Sequence, residues 1–216
     1  MTEPKLDYFS MFHKKLLVLV VVTLTTLSSV IAAACMASII LQPVAAQNNT
    51  AAAVTTTTKT SPPTTDYRVY DNSTLGIKID VPSDWLYKEI NNTAVSFVTN
   101  ASSTSRAAVV VLIENIPTNI SLDVFSQGSI KNLQQSTPSF QLITSNTTSL
   151  AGNPAHQIVF TSPFSTGKEL NKGMEIWTLK NGKAYIIVYR AGPGVDKFSL
   201  QLPVVKHMIN SFQITK

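Results

Sequence analysis

Between Leu16 and Leu41 the chain runs for 26 residues without a charge or a side-chain amide, directly after His13-Lys14-Lys15. About 20 apolar residues span the hydrocarbon core of a bilayer. This segment is therefore long enough to cross one, and whatever folds downstream must do so on the far side. Two lysines abut its near end, and no charge follows until Lys59. The positive-inside bias then places residues 1–15 in the cytoplasm, 16–41 in the membrane and the remainder outside. Secretory h-regions run to about 7–15 residues, a length that favours an uncleaved anchor here. Val44-Ala45-Ala46 ahead of Gln47 is nonetheless a small-residue cleavage site, and cutting after Ala46 would release the chain. Both fates leave the C-terminal part extracytoplasmic.

Cys35 is the sole cysteine and sits within the apolar run, where it reads as a small apolar residue. With no second cysteine, no intrachain disulfide can brace the external domain, which must rely on its core. Residues 47–66 are mostly Ala, Thr, Asn and Pro, including Thr55–Thr58 and Pro62-Pro63. They offer too little apolar surface to offset the entropy of ordering, so a disordered tether is expected. Asn-x-Ser/Thr sequons fall at Asn48, Asn72, Asn91, Asn100, Asn119 and Asn146, candidates for N-glycosylation of an exported glycoprotein.

Residues 67–216 are enough for one domain with its own core. They carry 13 Lys and Arg against 9 Asp and Glu, leaving +4, and the cations are scattered rather than clustered. Nucleic acid is therefore not an expected partner. Period-two patterning dominates. Leu75, Ile77, Ile79 and Val81 share one face of a strand that Pro82 stops and Ser83-Asp84-Trp85 turns. A short strand follows near Val95–Val98. Ala107 to Ile113 is continuously apolar, the mark of a central strand covered on both faces. Gln141–Thr148 and His156–Thr161 flank a turn at Ala151-Gly152-Asn153-Pro154. Met174–Leu179 and Ala184–Tyr189 flank Asn181-Gly182, the strongest short hairpin signal. Trp177, Tyr185 and Tyr189 are placed on adjacent strands, where they could pack as an aromatic patch.

Two helices are expected. Ser121 suits an N-cap before Leu122, Phe125, Ser129, Ile130 and Leu133, which fall along one helical stripe. Pro203 suits a first helical turn before Val204, Val205, Met208 and Ile209. The fold class is then α+β: a central, mostly antiparallel β-sheet sandwiched by helices.

The stretch Leu75-Gly76-Ile77-Lys78-Ile79-Asp80-Val81-Pro82-Ser83-Asp84-Trp85 resembles the opening of the PsbP-like family. Gly182-Lys183-Ala184-Tyr185 and Met208-Ile209-Asn210-Ser211-Phe212 are similar to its hairpin and last helix. The resemblance covers residues 67–216 and implies the Mog1/PsbP fold. It also implies a role like that of the family's extrinsic subunits and assembly factors, which dock on protein complexes. The long apolar run and Thr-rich tether depart from the photosynthetic members, so the fold transfers and the photosystem role does not.

No constellation for chemistry stands out. Gly-x-Ser-x-Gly is absent, and the carboxylates, Glu114 at the end of the apolar strand among them, show no paired spacing. Gly192-Pro193-Gly194 reads as a turn, since Pro193 lacks the N–H that a phosphate cradle uses. His156 and His207 are the domain's two histidines and its weak metal-ligand candidates, without the close-spaced pairing of an established site. The expectation is a non-enzymatic interaction or assembly module with no cofactor, whose partners are the membrane and another protein. The alternative is an extracytoplasmic carrier of a small ligand or metal.

Overall fold

The computed structural model describes residues 65–100, 106–163, 170–192 and 195–216. The uncharged run, the cleavage position after Ala46, the sequon at Asn48, the tether up to residue 64 and the Pro193 turn lie outside the described residues. Among the described residues no helix is long and apolar enough to cross a membrane.

Among the described residues, ten strands and two helices follow in the order β1 (Tyr67–Asn72), β2 (Ile77–Pro82), β3 (Leu86–Ile90), β4 (Ala94–Val98), β5 (Ala107–Asn115), α1 (Leu122–Ser136), β6 (Gln141–Leu150), β7 (Asn153–Pro163), β8 (Leu170–Lys180), β9 (Lys183–Ala191), α2 (Val195–Ser211) and β10 (Gln213–Ile214). Seven strands pair antiparallel in the order β3-β4-β5-β9-β8-β7-β6. The strands β1-β2-β10 make a separate small sheet, also antiparallel. The expected class is observed, with one correction: the strand through Ile77, Ile79 and Val81 belongs to this second sheet.

The strand alternation tells why the layers stack. Leu75, Ile77, Ile79 and Val81 are all buried. They meet Val95, Phe97, Val109, Ile187 and Tyr189 of the large sheet and Phe198, Val205 and Met208 of α2. This first face of the large sheet is covered by α2 and the small sheet together. The second face presents Val110, Ile158, Phe160, Trp177, Ile186 and Val188 to Phe125 and Leu133 of α1. β5, apolar on both sides, contributes to both cores. Trp177 therefore lies on the opposite face from Tyr185 and Tyr189, and the three form no common patch.

Local chemistry closes the elements. Asn181 (φ 52°) and Gly182 (φ 69°) occupy the left-handed region that a two-residue hairpin turn demands. Ser121 caps α1, its Oγ accepting from the Val124 N–H. The second helix departs from expectation: it starts at Val195, so Pro203 is interior. A proline there removes the bond to the Ser199 carbonyl. Both residues are exposed, which leaves that carbonyl open to water. The sequence pattern gives no sign of β1 and β3 either. Arg68-Val69-Tyr70-Asp71 and Leu86-Tyr87-Lys88-Glu89 carry no core-seeking alternation, because both strands are edge strands largely open to solvent.

Candidate functional site

A groove of about 440 Å³ lies where the β2–β3 turn meets the middle of α2. Pro82, Trp85 and Val204 supply its apolar lining, with Leu200 beside them. Thr65, Ser83, Thr99 and Gln201 add neutral polar groups, and Asp66 and Asp84 add two carboxylates. The sequence builds it directly. Pro82 ends β2, and the turn closes with the Trp85 N–H donating to the Pro82 carbonyl at 3.0 Å. Trp85 turns inward and is 4 % exposed, while its carbonyl accepts from Arg68 Nη2 at 2.6 Å. The Ser83 N–H donates to the Asp66 carbonyl at 2.9 Å, tying the entry of β1 to the same turn. Thr99 Oγ1 accepts from the Ala107 N–H. Leu200 is 64 % exposed on α2, an aliphatic side chain left in water beside an apolar floor. Asp66 and Asp84 are exposed and make no ion pair among the described residues.

Beside β3, Tyr70 packs edge-on against Tyr87 and Phe97, with ring centroids 5.3 and 5.2 Å apart. Its hydroxyl donates to Glu89 Oε1 at 2.7 Å. Burial and that carboxylate push its pKa far above the usual phenol value. Arg68 lies over the Tyr87 ring at 5.4 Å. These contacts join the two sheets along the rim next to the groove.

A second cluster is internal. Glu175 on β8 and Arg190 on β9 share the second face, two residues out of register. Burial raises the Glu175 carboxyl to about 7, with Arg190 opposing part of the rise. The same burial lowers Arg190 to about 10, with Glu175 opposing. The guanidinium crosses Gly173, lies 4.4 Å over the Phe160 ring and donates through Nη1 to Ser162 Oγ at 2.8 Å. Asn171, opposite Ser162 and fully buried, makes no side-chain hydrogen bond among the described residues. Sequence reasoning missed this cluster, although Met174-Glu175-Ile176-Trp177, an acid set in an apolar strand, carried the signal.

The two histidines are not brought together. His156 lies on the second face, stacked on Trp177 at 5.4 Å, with Nε2 2.8 Å from Ser145 Oγ. Burial lowers its pKa, and Asp123 offsets part of that. His207 lies on α2 against the small sheet, stacked on Tyr67 at 3.9 Å and paired with Asp80 at 3.2 Å. Among the described residues no group of three or more His, Cys, Asp or Glu is arranged to hold a metal. Glu114 is half-buried at the end of β5. Asn91, Asn100, Asn119 and Asn146 are exposed. Asn72 differs: its Nδ2, the atom a glycan would occupy, donates to Tyr70 and Glu89, and its Oδ1 accepts from the Leu75 N–H.

A family model described as PsbP-like protein matches residues 20–214. No curated protein matches the chain. Among solved structures it resembles cyanobacterial PsbP (CyanoP) from Synechocystis, at 13 % identity and a TM-score of 0.53, over 70 % of this chain and 94 % of that one. It also resembles the Ran-binding protein Mog1p of Saccharomyces cerevisiae, at 11 % identity and a TM-score of 0.52, over 71 % and 97 %. LpqN of Mycobacterium tuberculosis, involved in cell envelope biogenesis, is similar at 17 % identity and a TM-score of 0.51, over 65 % and 83 %. At these identities the likeness is one of fold.

Proposed function

The chain belongs to the PsbP-like protein family, and from that membership we propose that it is an extracytoplasmic interaction module, anchored in the membrane by residues 16–41, that docks on an exported or membrane protein complex without catalysing a reaction. The observation that carries this reading is the groove between the β2–β3 turn and α2, with an aliphatic side chain exposed at its edge. Thr65 and Asp66 line it, so it opens at the end of the domain that the N-terminal segment enters. Residues 42–64, fully extended, reach at most about 80 Å, which keeps the groove within range of partners in the same membrane. Mog1p, a Ran-binding protein, shares the fold and supports a docking role in general terms.

Fractionation tests the anchor. The protein should stay with membranes through high salt and carbonate, and its domain should be open to protease in intact cells. N-terminal sequences starting only at Gln47 would replace the anchor by a cleaved signal. A domain protected until lysis would overturn the orientation.

The groove's volume also favours a second reading, a carrier of a small extracytoplasmic ligand, since ligand pockets span roughly 300–1,000 Å³. Native mass spectrometry of the gently purified chain separates the two, a stoichiometric small-molecule adduct supporting the carrier.

A further inference from the structure

We propose that the groove receives a lysine or arginine side chain of a protein partner, next to an aliphatic residue of that partner that packs on Leu200. The proposal rests on the docking reading and specifies the chemistry of its partner. The domain's charge is otherwise net positive, yet among the described residues that line the groove there are two carboxylates and no lysine or arginine. Ionised carboxylates only accept hydrogen bonds, and no ion pair to Asp66 or Asp84 is made among the described residues. Arg68, the nearest cation in sequence to Asp66, is committed to the Trp85 carbonyl and the Tyr87 ring.

The backbone at both acids is held by hydrogen bonds. Asp66 is tied through its carbonyl to Ser83, and Asp84 lies inside the turn closed between Pro82 and Trp85. A cation entering here meets two carboxylates on a backbone fixed by these bonds, and a charge-assisted hydrogen bond is about twice as strong as a neutral one. The floor of Pro82, Trp85 and Val204 suits the methylene stem of such a side chain, which packs on apolar surface while its head stays polar. Leu200 then supplies the neighbouring apolar contact. The sign of the groove disfavours anionic lipid headgroups and nucleic acid.

The test uses the full chain in its own membranes, with Leu200 replaced by p-benzoylphenylalanine as a photocrosslinker. The expected result is a discrete protein adduct whose crosslinked peptide carries Lys or Arg beside an aliphatic residue. Its yield should fall about tenfold in an Asp66→Asn/Asp84→Asn background, since two charge-assisted bonds are lost. It should also fall as salt is raised. Unchanged melting of the Asn variant verifies that its fold is intact. A protein adduct of undiminished yield in the Asn background overturns the proposed partner chemistry and leaves docking standing. Adducts to lipid alone, or none, overturn the docking reading itself.

Discussion

The face of the large sheet beneath α2 and the small sheet is packed with apolar side chains, and its buried polar groups are partnered. Tyr189 donates to the Phe198 carbonyl and Thr178 to the Pro154 carbonyl. The face beneath α1 is built differently. Among the described residues its buried apolar cluster has 12 members against 22 on the first face, and buried Glu175, Ser162 and Asn171 lie beside it with half-buried Arg190. Ser96, Ser129 and Asn171 on that side make no side-chain hydrogen bond among the described residues. Apolar burial stabilises at roughly 25 cal/mol per Å², whereas a buried polar group stabilises only when paired. The first face therefore carries most of the stability, and the second carries most of its dependence on conditions.

The largest effect separating the faces belongs to Phe212, buried in the first core just after α2. Phe212→Ala should cost about 3–5 kcal/mol, the usual range for a buried phenylalanine, measured by denaturant unfolding. A loss below about 1 kcal/mol would break the assignment of stability to that face.

Next comes pH. Glu175 titrates at about 7 instead of its ordinary 4.5, so the folded state holds this proton more tightly than the unfolded one. Its contribution is complete below about pH 4.5 and is lost as pH rises through about 7. The loss is at most about 3 kcal/mol. Glu175→Gln should flatten the stability profile across this window, and a variant with the wild-type slope would place the pH dependence elsewhere.

Gly173→Ala sharpens the same contrast at smaller cost. The new Cβ would sit 2.9 Å from Arg190 Cδ and 3.0 Å from Phe160 Cζ. Displacing the guanidinium should cost about 1–3 kcal/mol. It should also shift the pH profile, because the cation that opposes the rise in Glu175 moves away.

The first face was the more legible in sequence. Leu75, Ile77, Ile79 and Val81 announced a buried strand by alternation, and all four are buried. The Asn181-Gly182 turn and the Ser121 cap stand where local chemistry put them. Those signals act within a few residues. The groove and the Glu175–Arg190 cluster do not, since each depends on the register of strands far apart in sequence. Pro203 misled because a proline at a helix start and one on the exposed side of a helix read alike, and only packing distinguishes them. β1 and β3 stayed hidden because an exposed edge strand has no buried face to impose alternation.

Docking at the groove would be read out by amide hydrogen exchange on the full chain. Exchange should be compared in native membranes and after purification in detergent. Exchange should be slower in membranes at Ser83–Leu86 and Ser199–Val205, with α1 and the open β6 edge unchanged. Equal rates at the groove, or protection confined to α1 or β6, would contradict docking there.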